Sequence, residues 1–290
     1  MKFSFLLCTL NRKVLAINAI KSILNQTYDN YEIIVVDQSS ENSKDEYEKM
    51  DNRIIYIHSE KTGLSYNRNI GIDISTGDYI CLMDDDATYA SDNLMSIKKV
   101  IDAKKTDIIC GMMLDPVSKE ISLHGMKKDS LIITQNNIME YCSSPSLVIN
   151  SKYAKELKFD DNFGVGRRWG CAEEVDLVLR ALYKGAIAYY DPSIIVYHPS
   201  VDKRSLKVEK AAAYSLGYGA CCAKHYIKYG NIEMRKYYRV AIVKHVAAYL
   251  LYLISNDSKM KEMYRVNLRN KHLGYKEYCM YIREEAESNE

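Results

Sequence analysis

A chain of 290 residues, 47% hydrophobic and 27% charged, has the composition of a folded globular protein with room for a large core, which excludes wholesale disorder. Its formal charge of +2 hides an asymmetry: residues 1 to 202 hold 23 Lys+Arg against 29 Asp+Glu, net −6, and residues 203 to 290 hold 17 against 9, net +8. The first part suits a cation and the second an anionic surface, a phospholipid membrane rather than nucleic acid, because no helix-turn-helix, zinc-finger or RNA-recognition signature is present.

In chain order, Lys2 to Thr9 alternates as a first strand, Val14 to Leu24 has helical spacing, and Tyr31 to Asp37 is a β-branched run of the kind buried in parallel sheets. Asn11-Arg12-Lys13 cuts the apolar N-terminus short and no small-residue cleavage site follows, so a strand is expected there rather than a signal peptide. A third strand is predicted at Arg53 to His58, a helix at Leu64 to Ser75 stopped by Gly77, and a fourth strand at Tyr79 to Met83. A helix capped by Ser91 and a fifth strand at Asp107 to Leu114 follow.

This alternation predicts an α/β fold with a doubly wound, mostly parallel sheet flanked by helices. In such sheets ligands bind beyond the carboxyl ends of the strands, where Thr9, Asn11, Asp37 and Asp84-Asp85-Asp86 all fall. Three successive carboxylates repel one another and require compensation, for which a divalent cation is the usual agent; a solvated acidic turn is the bland alternative.

Residues 115 to 144 are less patterned, with β-like pieces such as Ser130 to Thr134. Pro145 to Ile149 reads as a strand and Ser151 to Leu157 as a short helix. A loop with Gly164, Gly166, Gly170 and the only tryptophan, Trp169, then runs into Glu173, Glu174 and Asp176 at a helix start. Acids in a first turn are ordinary, but a Gly-rich, Trp-bearing loop before them is not. Ala186 to Tyr190 and, past Pro192, Ile194 to Tyr197 read as strand ending at His198.

Residues 203 to 290 form a basic, helical C-terminal appendage. Within it Val240 to Ile254 is the longest apolar run, but Lys244 and His245 interrupt it, so it suits lying on a membrane and not crossing one. The eight cysteines contain no CxxC pair and read as small buried hydrophobes in a reducing cytosol. The expected location is therefore cytoplasmic, with peripheral contact at the inner face of the plasma membrane.

Five stretches carry a resemblance: Leu7-Cys-Thr-Leu-Asn-Arg12, Ile33-Ile-Val-Val-Asp-Gln-Ser-Ser40, Gly63-Leu-Ser-Tyr-Asn-Arg-Asn-Ile-Gly71, Gly77-Asp-Tyr-Ile-Cys-Leu-Met-Asp-Asp-Asp86 and Gly170-Cys-Ala-Glu-Glu-Val-Asp-Leu177. In order and spacing they resemble the inverting glycosyltransferases of family 2, which have the Rossmann-like GT-A fold, over about residues 2 to 200. The resemblance implies a GT-A domain at 1–202, with the nucleotide sugar bound by about 1–114 and the acceptor and catalytic base in about 115–202, ahead of the region 203–290.

It further implies Mn²⁺ or Mg²⁺ on the donor diphosphate, with Asp86 on the metal, Asp84 on the ribose or a metal-bound water, and Asp85 beside them. Asp37 would meet the base of a UDP-sugar, Thr9 and Asn11 would line the same pocket, and Arg68 would lie near the nucleotide. Glu174 aligns with the general base, where the family usually has aspartate, so Glu173 stays an alternative and Asp176 is expected to orient the helix start. His198 would ligate the metal or touch the diphosphate, a structural role being its alternative. Trp169 would stack on a sugar, and Arg167 and Arg168 would meet an anionic acceptor. Gln38 departs from a second aspartate common in the family.

The implied reaction moves a sugar from a nucleotide donor to a hydroxyl of a glycan or lipid-linked glycan, in polysaccharide or glycolipid biosynthesis. Rival readings differ in detail. Asp84-x-Asp86-x-Thr88 also matches haloacid-dehalogenase-like phosphatases, but those open with the nucleophile strand and carry a late Gly-Asp-x-x-x-Asp that is absent here. Sugar nucleotidyltransferases begin with a glycine-rich basic loop, unlike Thr9 to Lys13. A non-catalytic carbohydrate-binding relative would have no need of both acidic segments.

Overall fold

The structure, a computed structural model, describes residues 1–122, 125–200 and 205–287. The expected boundary at 202 to 203 lies outside the described residues. The chain forms two compact units, one of residues 1–160 and 177–200, the other of 161–176 and 201–290.

The first unit is an α/β sheet. Its strands are β1 (Phe3–Thr9), β2 (Tyr31–Asp37), β3 (Ile54–His58), β4 (Tyr79–Asp84), β5 (Thr88–Tyr89), β6 (Ile108–Leu114), β7 (Leu131–Ile133), β8 (Leu147–Asn150) and β9 (Ala188–Tyr197). Between them run α1 (Lys13–Leu24), α2 (Lys44–Glu48), α3 (Leu64–Ile74), α4 (Asn93–Lys104), α5 (Ile138–Tyr141) and α6 (Ser151–Leu157). A further helix, α7 (Glu173–Tyr183), starts in the second unit's segment and leads into β9.

The strand order is β3-β2-β1-β4-β8-β6-β9-β5, with β7 added along β9. The half from β3 to β4 is wholly parallel, and every residue of β1 and β2 is buried, as strands covered on both faces must be. The other half is mixed, because β8 runs antiparallel to both β4 and β6. Register matters most at the carboxyl ends: Thr9 pairs with Asp37, and Cys8 with Asp84. Residues 28 and 76 positions apart are thereby set side by side at the carboxyl ends of these strands.

Three local expectations change. Ser91 is not the cap of α4; Asp92 is, and its side chain makes no capping hydrogen bond. Gly77 does not end α3 through a left-handed turn: a Cβ there would lie 2.7 Å from the backbone nitrogen of Ser4, so close approach to β1 requires the glycine. Pro192 does not divide the strand at 188 to 197, because a register shift between Gly111 and Met112 on β6 absorbs it as an irregularity within β9.

The second unit contains α8 (Val208–Tyr229), α9 (Ile232–Leu253) and α10 (Ser258–Glu287). α8 and α10 cross where both carry glycine. A Cβ on Gly219 would fall 2.0 Å from the carbonyl oxygen of Lys271, and one on Gly274 2.0 Å from that of Leu216. The two backbones can meet only because those side chains are missing. Among the described residues no helix is long and apolar enough to cross a membrane, and all eight cysteines are free.

Candidate active site

The end of β4 turns sharply, the amide of Ala87 donating to the carbonyl of Asp84 at 3.1 Å, and this splays the three carboxylates in different directions. Asp84 accepts from Arg68 at 3.0 Å and from the Ser144 hydroxyl at 3.1 Å. Asp85 turns inward, accepting from the Thr9 hydroxyl at 2.9 Å and from Arg12 at 2.6 Å. Asp86 accepts from the other guanidinium nitrogen of Arg12 at 2.7 Å and lies 3.3 Å from Nε2 of His198. Repulsion within the cluster is thus relieved by cations from three other parts of the chain.

The electrostatics follow burial and partner. Burial, with the neighbouring Asp86 and Asp84 charges, pushes Asp85 up to about 6 despite Thr9 and Arg12. His198 and Arg12 hold Asp86 well below the usual carboxylate range against the effect of burial. Burial works against the His198 imidazolium, but Asp86 and Asp84 outweigh it and raise its pKa. Ligand atoms of Asp84, Asp86 and His198 all lie within 4.8 Å of one another. Two carboxylates and one imidazole at that spacing fit a divalent cation, Mn²⁺ tolerating the nitrogen better than Mg²⁺ does.

Other strand-end residues form a wall beside this cluster. Asp37 is buried and accepts from the Ser39 amide at 2.9 Å and the Tyr56 hydroxyl at 3.1 Å. Asn11 is in the left-handed region, φ 55°, with its backbone N–H donating to the Ser39 hydroxyl at 2.7 Å. Asparagine tolerates that conformation better than most residues. The Gln38 side chain accepts from the Gly63 amide at 2.8 Å and so fixes the start of α3. Arg68 is buried on that helix and also donates to Ser144. Thr9, Arg68 and Asp85 are buried and bonded within the acidic turn.

The second acidic segment belongs to the other unit. Ala172, at φ 71° and not a glycine, turns the chain into the first turn of α7, where its carbonyl accepts from the amide of Asp176. Asp176 is fully buried, with Lys224 Nζ at 2.5 Å and His225 Nε2 at 3.1 Å from the same oxygen. Glu173 is buried as well, whereas Glu174 is part-exposed and is the acid of the three that solvent reaches most.

Trp169 is 0% exposed, its ring centroid 4.8 Å from Phe163 and 5.1 Å from Tyr278, so aromatic neighbours rather than a sugar occupy it. Arg167 donates to the Asp161 carbonyl; Arg168 is exposed, over the Trp169 and Tyr281 rings. Sequence reasoning missed Arg12, Ser144, Lys224 and His225 as members of these clusters. Only Arg12 carried a signal, by lying inside the first of the five stretches.

The glycosyl transferase family 2 model matches residues 4–160. A curated relative, the GalNAc(5)-diNAcBac-PP-undecaprenol beta-1,3-glucosyltransferase of Campylobacter jejuni, is 32% identical over 172 residues, 56% of this chain and 56% of that protein. The chain thus spans little more than half the length of this relative. Among solved structures, S. aureus TarS 1-349 in complex with UDP-GlcNAc superposes with a TM-score of 0.60 at 16% identity, covering 94% of this chain and 92% of the other. The mannosyltransferase PcManGT of Pyrobaculum calidifontis, in complex with GDP-Man and Mn²⁺, gives 0.64 at 14% identity, covering 94% and 86%. At such identities the likeness is one of fold.

Proposed function

The chain belongs to glycosyl transferase family 2, and from that premise we propose that it transfers a sugar, with inversion, from a UDP-sugar to a hydroxyl of a glycan or lipid-linked glycan. The observation that carries this reading is the convergence of Asp84, Asp86 and His198 at the carboxyl ends of parallel strands. Those three residues would hold Mn²⁺ or Mg²⁺, which when bound supplies positive charge to a departing diphosphate.

The chain's own groups do the rest. Asp37, braced by Ser39 and Tyr56, is assigned to the nucleobase, with Asn11 at the same wall. Arg12 offers an exposed guanidinium beside the acidic turn for the donor's phosphates. Glu174 is assigned as the general base that takes the acceptor hydroxyl's proton while its oxygen attacks the anomeric carbon opposite the diphosphate. An α-linked donor then gives a β-linked product. Asp176, locked between Lys224 and His225, fixes the turn that presents that base. Lipid-linked acceptors lie at membranes, and the net +8 of residues 203 to 290 suits peripheral attachment to an anionic one, the inner face of the plasma membrane.

A thermal-shift and hydrolysis screen of nucleotide sugars tests the reading. Stabilisation and turnover by one UDP-sugar with Mn²⁺, lost in EDTA, is the expected result. Full turnover in EDTA would contradict it.

A further inference from the structure

We propose that the outward face of α9 is the surface that docks on an anionic lipid bilayer, with the helix lying in the plane of the headgroups. This deepens, and rests on, the reading of residues 203 to 290 as membrane-facing, by naming one helix and one face of it. The opposite face is already occupied. Tyr238, His245 and Tyr252, seven residues apart, point at α10, where Tyr238 stacks on Tyr275 at 4.2 Å, His245 meets Tyr264 at 5.9 Å and Tyr252 stacks on Tyr264 at 5.3 Å. Positions two residues earlier lie about 200° around a helix, on the far side. They are Lys236, Val243 and Leu250, and all three are exposed.

That far side is not an ordinary solvated surface. Val243 is 67% exposed, Leu250 56%, Leu251 67% and Ile254, just past the helix, 88%, while only Met234 of the helix is buried. Large aliphatic groups contiguous on one face mark an interaction site. Charge identifies the occupant. α9 carries four cations, Arg235, Lys236, Arg239 and Lys244, against one carboxylate, Glu233 in its first turn, which Lys236 meets at 2.5 Å.

The cations occupy the first part of the helix and the aliphatic residues the last part, so a shallow tilt sets the ammonium and guanidinium groups among lipid phosphates and sinks Leu250, Leu251 and Ile254 below them. A second copy of the chain fits less well: twofold pairing would set the cationic half against itself or against the aliphatic half.

The test is co-sedimentation of the full chain with phosphatidylcholine vesicles with or without phosphatidylglycerol. The unchanged protein should bind only when phosphatidylglycerol is present. Leu250→Ser with Leu251→Ser, and separately Arg239→Gln with Lys244→Gln, should each weaken binding roughly tenfold or more. Melting temperature, and UDP-sugar hydrolysis without vesicles, should stay unchanged because these side chains are exposed. If the full chain binds and both double variants bind equally well, the assignment to α9 is wrong while the broader membrane reading survives. If the full chain ignores phosphatidylglycerol, both fail. A dimer in size exclusion that the Leu250→Ser, Leu251→Ser variant dissociates, without vesicle binding, would make this face a self-contact and overturn the proposal.

Discussion

Asp84-Asp85-Asp86 and Glu173-Glu174-Val175-Asp176 are both short runs of acids at the end of an element, yet the two units treat them differently. At the strand end Asp84 is met by Arg68, Asp85 by Thr9 and Arg12, and Asp86 by the same Arg12 and by His198, and Asp84 and Asp86 stay half-buried within reach of the imidazole. At the helix start one acid, Asp176, is taken fully inside and held by both Lys224 and His225, leaving Glu174 outermost. The difference teaches that a run of acids divides into ligands and supports according to which members the fold can bury with a counter-charge, because an unpaired buried carboxylate is too costly to keep.

The comparison can be broken most sharply at Glu174. Glu174→Gln should lower transfer by about 10²- to 10⁴-fold while calorimetry shows UDP-sugar binding retained. Near-normal turnover would move the base to Glu173. At the other turn, Asp86→Ala should abolish Mn²⁺-dependent donor binding in equilibrium dialysis, whereas Asp85→Asn, on the buried neighbour, should act chiefly on stability. Equal loss of metal binding by both would erase the division between ligand and support.

Supports should announce themselves in unfolding. Lys224→Met removes the ammonium that lies 2.5 Å from the buried Asp176 carboxylate, and denaturant melts should show a loss of roughly 3–5 kcal/mol. The smallest effect concerns Glu32, an acid buried in β2. Burial alone would raise its pKa, but Lys2, Ser4 and Thr76 outweigh that and lower it from 4.5 to about 2. A depressed folded pKa stabilises above the unfolded value and loses that contribution as pH falls from about 4.5 towards 2. The contribution is worth roughly 2–3 kcal/mol, and Glu32→Gln should flatten the acid limb of the stability curve over that window.

Much of the first unit was legible in the chain. Alternation and β-branched runs located β1 to β4 and β6 to within a residue or two, since β1, β2, β4 and β6 are buried along nearly their whole length and their sequence reports that directly. The strand pieces of the other half were legible as well, Ser130 to Thr134 at β7 and Pro145 to Ile149 at β8, but the antiparallel course of β8 against β4 and β6 was not, because strand direction leaves no periodic mark. Trp169 shows the same limit for a side chain. A glycine-rich loop with a tryptophan reads as a ligand platform until Tyr278 and Tyr281, over 100 residues later, are folded onto it.

By itself the sequence determined the strand ends, the two acidic segments, the family and the charge asymmetry, all of which depend on residues close together in the chain. Only the tertiary structure decided that His198 comes to Asp86, that Arg12 bridges Asp85 and Asp86, that Lys224 and His225 hold Asp176, and that one face of α9 is left uncovered. The reason is physical: a carboxylate's role is set by the charges and burial around it, and those are supplied by residues 48 to 112 positions away whose arrival depends on how strands register and helices pack.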